Sequence, residues 1–131
     1  QCVVVSIDLV KENKNNYKIW NNENKIKSNI KIKEYLKYLS KYKIGEIYLT
    51  SIDKDGTGQG YDFEMLKFFN DTLTPIIISG GAGNWMHLHE GLLNKNIDAV
   101  STANLLNFVD KGLLISRENI INQKFDLPIW Q

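Results

Sequence analysis

The sequence has little of what several functional classes require. Its 131 residues include one cysteine, two prolines and two histidines, and 16 basic residues nearly balance 15 acidic ones. A net charge of +1 argues against a nucleic-acid partner held by a broad basic surface. No apolar run approaches the roughly 18 residues of a membrane span, and the first residues lack the basic region of a signal peptide. Neither nucleic acid nor a membrane is therefore an expected partner.

The single cysteine, Cys2, has no internal partner for a disulfide. This favours reducing, cytoplasmic conditions, with Cys2 as a buried structural thiol and not a nucleophile. An apolar segment also begins at once, without an initiator methionine, whereas domains usually start with a polar lead-in. We therefore expect residues 1–131 to be a fragment of a larger domain.

Four short apolar segments predict buried strands. The first three contain continuous apolar runs, which are typical of parallel strands covered on both faces. Apolar residues at helical spacing follow each segment, and the order β-α-β-α-β-α-β-α predicts a parallel α/β fold. Four such units are half of a (βα)8 barrel, or else a small open sheet. The predicted strands cover 2–8, 46–50, 75–79 and 99–103.

Polar residues that can cap a helix mark three of the helical segments. Asp62 and Asn84 precede the second and third, and Ser116 begins the last, which is predicted over 116–123. Between the first strand and the first helix, asparagine and lysine dominate 11–31, a stretch too long for a plain βα turn. We predict a solvated, partly mobile insertion with residues 17–20 as one arm of a small hairpin, and a functional role for this loop stays open.

Glycine-rich segments follow the predicted strand ends, where ligands bind in parallel α/β folds. Gly80-Gly81-Ala82-Gly83 leads into a helix start, whose free N–H groups can hold a phosphate. Residues 55–58 supply a second turn, and Asn104 opens a short helical turn with further donors. The alternative is that these glycines merely permit tight turns.

Two carboxylates stand at opposite ends of predicted strands. Asp8 follows an apolar strand and could serve as a general acid or base at the rim, or could cap the next loop. Glu46 begins a strand. From the residues alone, we favour a structural ion pair with a lysine over a role in lining a polar passage.

Other polar pairs have a simpler explanation. Asp53 and Asp55 supply too few ligands for a calcium loop, so turn-stabilising hydrogen bonds are the better interpretation. His87 and His89 would diverge by about 200° on a helix, which predicts surface histidines and not a metal site. The sequence also lacks zinc-ligand spacing and a Walker-type loop.

Four segments stand in this order along the chain: VVSID at 4–8, GEIYLTSIDKDGT at 45–57, GYD at 60–62 and SGGAG at 79–83. Together they resemble the second half of the cyclase subunit of imidazole glycerol phosphate synthase. The resemblance implies the C-terminal half of a (βα)8 TIM barrel, strands five to eight. It implies a lyase of histidine biosynthesis in which ammonia from a glutaminase partner attacks a bis-phosphorylated ribulosyl aminoimidazole substrate. No metal or cofactor is implied.

The resemblance also assigns roles to individual residues. Asp8 matches the second of two acid–base aspartates, the first lying in the missing N-terminal half. Thr50 matches a substrate-side position, and Glu46 matches a carboxylate of the ammonia entrance. The matched phosphate-binding positions are Asp55, Gly56, Gly81, Ala103 and Asn104.

Three departures from the family pattern leave alternatives open. Ser28-Asn29 replaces the usual Thr-Gly, Asn104 replaces a more frequent Ser, and the tail at 126–130 is atypical. The tail is more similar to cyclase-like relatives that deliver ammonia for amidation of a bacterial surface-glycan sugar. A third possibility is an isolated half-barrel that has no activity and self-associates through its exposed strand edges.

Overall fold

The computed structural model, which describes residues 3–103, 105 and 111–128, contains a six-stranded sheet. The spatial order is β3-β2-β1-β4-β5-β6. β1, β4, β5 and β6 run parallel, and β2 and β3 continue the sheet in antiparallel fashion beside β1. The strands are β1 (Val4–Asn13), β2 (Asn16–Asn21), β3 (Ile26–Lys27), β4 (Glu46–Ser51), β5 (Ile76–Ser79) and β6 (Ala99–Val100).

Helices follow the parallel strands, as the α/β prediction requires. They are α1 (Ile32–Leu39), a 3-10 helix (Phe63–Phe68), α2 (Trp85–Leu93) and α3 (Gly112–Asn122). Their apolar residues pack with those of the sheet in one core. Across the described ranges, none of these helices combines the length and apolar character that crossing a membrane requires.

The strand register separates two faces of the parallel sheet. Successive side chains of a strand point to opposite faces. On one face, Ile7, Leu9, Ile47, Leu49 and Ile78 are almost completely buried in the core with the helices. The expectation that both faces are covered is wrong for the described residues, because the second face carries polar and half-exposed side chains. In register across that face lie Asp8, Thr50 and Ser79, then Ser6, Tyr48, Ile77 and Ala99, then Val4 and Glu46.

The insertion after the first predicted strand is largely part of the sheet. β1 continues to Asn13, past its predicted end at Asp8, because Leu9 to Asn13 pair with β2. The predicted hairpin arm is confirmed, since residues 17–20 lie within β2 and Tyr17 is buried. The predicted strand start at Cys2 lies outside the described residues.

The three predicted caps have different outcomes. Asn84 is confirmed, because its side chain accepts a hydrogen bond from His87 N at 3.1 Å. Asp62 precedes a 3-10 helix and makes no cap hydrogen bond, since its carboxylate accepts the Tyr17 hydroxyl. The cap at Ser116 is wrong: α3 already begins at Gly112, and Ser116 Oγ donates to Gly112 O one turn back.

Candidate active site at the carboxyl ends of the strands

Loops after β4, β5 and β6 enclose a small cavity of about 40 Å³. Four predicted phosphate-binding residues line it: Asp55, Gly56, Gly81 and Ala103. The fifth, Asn104, lies outside the described residues. Thr50 lies beside the cavity, because it is paired in register with Ser79, which is one of the lining residues. The structure therefore brings together residues that are separated by almost fifty positions in the chain.

Two of the glycine loops touch through their backbones. Gly60 N donates to Gly81 O at 2.8 Å, and a Cβ at Gly81 would overlap the carbonyl oxygen of Gly60. Gly81 also has a φ of +106°, in the region that favours glycine. A larger residue at position 81 is therefore disfavoured on steric grounds, as the tight-turn interpretation expected. Gly81 also lies on the cavity wall.

A network of hydroxyl groups supports the cavity floor. Tyr48 Oη donates to Ser79 Oγ at 3.0 Å and lies 2.6 Å from Ser101 Oγ. Tyr61 Oη donates to the Ser101 carbonyl at 2.8 Å, and burial raises the pKa of Tyr61, so its hydroxyl remains a donor at neutral pH. Sequence reasoning missed this network. The one signal was a tyrosine placed between Ile47 and Leu49 in an apolar run.

The two histidines are half-buried, so the prediction of surface histidines is wrong. His87 Nδ1 accepts a hydrogen bond from Gly83 N at 3.1 Å, which occupies one of the amides of the predicted phosphate loop. The His89 ring packs against Trp85 and Phe125, with centroids at 6.2 and 5.6 Å. Both side chains therefore stabilise α2 and its surroundings.

Asp8 lies on the uncovered face at the rim of the sheet. It is half-buried and pairs in register with Thr50. Its Oδ2 accepts a hydrogen bond from the side-chain amide of Asn22, in the turn that follows β2. Together with Trp20 and Ser28, both residues line a cavity of about 340 Å³. Sequence reasoning also missed Asn22.

The hairpin formed by β1 and β2 is anchored to the rest of the molecule through a charged cluster. Lys11 Nζ lies 3.2 Å from Glu64 and 3.7 Å from Asp62, and the Tyr17 hydroxyl donates to Asp62 at 2.8 Å. The pKa of Lys11 is raised mainly by a hydrogen bond between Lys11 and Tyr17, whereas burial raises the pKa of Tyr17. Lys11 therefore has a structural role within the insertion that the sequence predicted to be solvated.

Asp53 contributes to the same anchoring. Its Oδ2 accepts a hydrogen bond from Lys11 N at 2.6 Å, which ties the loop after β4 to the extension of β1. Asp53 was expected to stabilise its own turn, but its hydrogen bond joins two separate segments of the chain. In the described ranges, no group of three or more His, Cys, Asp or Glu side chains could hold a metal ion.

Glu46 lies at the opposite end of the sheet from Asp8. It starts β4, pairs in register with Val4 and is exposed. The lysine pairing expected from the residues alone is wrong for the described part of the chain, where the ion pairs involve Lys11, Lys18 and Lys31 with other carboxylates. The position on the uncovered face leaves its carboxylate open to solvent.

The parallel strands, the helices that follow them and the glycine loops at the carboxyl ends form the arrangement found in (βα)8 barrels, a class of protein whose ligand sites lie at that end. A family model described as histidine biosynthesis protein matches residues 1–110. The chain belongs to this family. The choice left open by the sequence is therefore decided in favour of part of a barrel and against a small open sheet.

Individual relatives agree with the family match. The chain is 44% identical over 119 residues, 90% of its length, to a protein of Parasynechococcus marenigrum strain WH8102 provisionally named imidazole glycerol phosphate synthase subunit hisF2. It is 39% identical over 109 residues, 82% of its length, to the imidazole glycerol phosphate synthase subunit HisF of Chlorobaculum parvum strain DSM 263 / NCIMB 8327. These matches cover 44% and 43% of the two relatives, so the chain spans less than half of their length. The resemblance found in the sequence is confirmed.

Proposed function

We propose that this chain forms the C-terminal half of a cyclase barrel that converts a bis-phosphorylated ribulosyl aminoimidazole ribotide into imidazole glycerol phosphate. A glutaminase partner supplies the ammonia, and the reaction belongs to histidine biosynthesis. Support comes from the relative that bears the name of the HisF subunit and from the arrangement of loops at the rim. The other half of the barrel supplies the first acid–base aspartate and the other phosphate site.

The observation that carries this proposal is the small cavity between the three loops. Its walls include Asp55, Gly56, Gly81 and Ala103, all of which match phosphate-binding positions in the resemblance. Backbone N–H groups of glycine loops suit phosphate, because they donate hydrogen bonds without a side chain in the way. One phosphate of the substrate binds here, and Thr50 faces the substrate between this cavity and Asp8.

Asp8 acts as one member of the acid–base pair. Cleavage of the C–N bond and closure of the imidazole ring both move protons on and off nitrogen and oxygen. Support for Asp8 comes from its place at the rim, in register with Thr50, on the face that carries the polar side chains. A carboxylate on a strand is held more precisely than one on a loop, which suits general acid–base chemistry.

Ammonia enters from the end of the sheet opposite to Asp8. Glu46 is exposed there, at the first residue of β4, and lies on the same face as Tyr48 and Thr50. A carboxylate at a passage entrance attracts the ammonium ion through its charge. The glutaminase therefore docks at the amino ends of the strands.

The test uses the complete protein that contains this chain, supplied with the substrate and an ammonium salt. We expect formation of imidazole glycerol phosphate, and we expect Asp8→Asn to lower turnover by about 10³-fold, in the range of general acid–base contributions. Asp71→Asn, at an exposed carboxylate away from the rim, is the matched control. Circular dichroism checks that both variants fold. Turnover by Asp8→Asn at the wild-type rate would remove Asp8 from the mechanism.

A second candidate is a cyclase-like subunit that delivers ammonia for amidation of a surface-glycan sugar. The observation in its favour is Ser28, which departs from the family pattern and lines the same cavity as Asp8. Complementation of a histidine auxotroph that lacks the cyclase separates the two candidates. Rescue of growth supports the cyclase, whereas glutaminase binding without rescue supports ammonia delivery.

The 131-residue chain alone is proposed to be inactive, because the partner aspartate lies in the other half. Its uncovered sheet face and the exposed side chains of Val3 and Val4 at the start of β1 favour association with a second copy. Light scattering of the isolated chain tests this, and a monomer at high concentration would contradict it.

A further inference from the structure

We infer that Asn22 is a positioning residue for Asp8, an inference that rests on the acid–base role proposed above. The side-chain amide of Asn22 donates a hydrogen bond to Oδ2 of Asp8 across fourteen positions of the chain. Oδ1 of Asp8 has no hydrogen-bond partner among the residues that the structure describes. The amide therefore holds one carboxylate oxygen and leaves the other for a proton of the substrate.

The turn that carries Asn22 is held in place by its own hydrogen bonds. Asn21 Oδ1 accepts from Glu23 N at 2.9 Å and from Asn24 N at 3.1 Å, which closes the turn around Asn22. Asn21 is also paired with Ile26 of β3. The backbone at Asn22 is thus fixed from both sides, although its side chain lies at the surface.

The hairpin beneath this turn is anchored at its far end by the charged cluster. Lys11 and Tyr17 bind the carboxylate of Asp62, and Lys11 N binds Asp53. A turn anchored in this way delivers the amide to Asp8 with little loss of conformational freedom. The insertion therefore has a defined task, which is to orient the acid–base carboxylate.

The cavity of about 340 Å³ adds a reason why the orientation matters. Asp8 and Asn22 line it together with Ser28, Trp20 and Ile30. A substrate atom that enters this cavity meets the carboxylate and the amide at once. Because a hydrogen bond to a charged group fixes its direction, loss of the amide lets the carboxylate rotate away from the productive geometry.

The test compares three variants of the complete protein. Asn22→Leu, which removes the donor at similar volume, is expected to lower kcat by about 10- to 100-fold with a small change in KM. Asn22→Gln, which keeps an amide, should recover part of the rate. Asn24→Leu, in the same exposed turn, is the matched control and should keep the wild-type kcat.

A double-mutant cycle decides whether Asn22 acts through Asp8. In an Asp8→Asn background, Asn22→Leu should have no further effect on turnover. An equal loss in both backgrounds, or a wild-type kcat for Asn22→Leu, would overturn the inference.

A readout that does not need activity separates this inference from the proposed function. The ¹⁵N side-chain resonance of Asn22 should shift when Asp8 is replaced by Ala, whereas that of Asn24 should not. If the complete protein does not make imidazole glycerol phosphate but the Asn22 resonance shifts, the proposed reaction fails and the contact stands. If the resonance does not shift, the contact is absent and the inference fails whatever the reaction.

Discussion

The two faces of the parallel sheet differ in chemistry although the same strands build them. Ile47 and Leu49 of β4 are buried against the helices, whereas Glu46, Tyr48 and Thr50 of the same strand lie on the uncovered face. The covered face supplies the stability of the fold through apolar burial. The uncovered face holds the residues to which we assign chemistry. Alternation along a strand thus allows a short segment to serve both purposes at once.

The largest effect is expected on the covered face. Leu49→Ala should lower the free energy of unfolding by about 2–5 kcal/mol, because Leu49 is fully buried and its truncation leaves a cavity. Thr50→Ala, the next residue on the opposite face, should change it by no more than about 0.5 kcal/mol. Urea denaturation measures both. Similar losses for the two variants would contradict the division of the sheet into a stabilising face and a functional one.

The next effect concerns the loops above the uncovered face. Gly81→Ala should cost about 1–3 kcal/mol, because a Cβ would overlap Gly60 O and the φ of +106° strains any other residue. Gly56→Ala, where no described residue lies within 4 Å of the added Cβ, should cost about 1 kcal/mol from its φ of +75°. Thermal unfolding of the two variants would show this order. The reverse order would mean that the loops are not held by backbone contact.

Alkaline pH tests a buried tyrosine between α2 and the loop that follows β6. Tyr61 packs near Gly91 of α2 and donates a hydrogen bond to Ser101 O. Burial raises the pKa of Tyr61 in the folded state, so its contribution to stability is complete below pH about 10 and is lost as the pH rises through the folded value. We expect the free energy of unfolding to fall above pH about 10. The fall should be smaller in Tyr61→Phe, and an identical pH profile would refute the assignment.

The smallest effect is expected within the hydroxyl network. Tyr48→Phe removes the hydrogen bonds to Ser79 and Ser101 but keeps the ring, so it should cost about 1 kcal/mol. In the complete protein, the same variant should raise KM more than it lowers kcat, because it loosens the wall of the cavity in which we propose that a substrate phosphate binds. Steady-state kinetics with Tyr42→Phe, at an exposed tyrosine, as control would measure the split. An unchanged KM would separate the network from substrate binding.

Much of the fold follows from local patterns. Short apolar runs predicted all four parallel strands, and the asparagine before α2 predicted its cap. The second helical segment was less predictable. Leu66, Phe69 and Leu73 stand at helical spacing, but the segment is a short 3-10 helix that ends at Phe68, and Leu73 is fully exposed. The cap predicted at Ser116 was wrong for a related reason, because a serine can cap a helix or can donate a hydrogen bond to a carbonyl of the preceding turn. Patterns over a few residues leave such choices to tertiary packing.

Some residues of the candidate site were predictable from the sequence and others were not. Resemblance and glycine loops indicated Asp8, Asp55, Gly56 and Gly81, and the first of these lies at the rim while the others share a cavity. Asn22 and Tyr48 were missed, because nothing in their neighbours along the chain reveals that they contact Asp8 and Ser101.

The sequence by itself determined the order of strands and helices and the polar and glycine-rich turns that follow the strands. These features depend on local apolar spacing, capping and turn chemistry. Tertiary structure decided which face of the sheet the helices cover. It also decided the hydrogen bond between Lys11 and Asp53, which are 42 residues apart, and the one between Asn22 and Asp8. The physical reason is that these contacts depend on strand register and on closure of long loops, which are settled when the whole core packs.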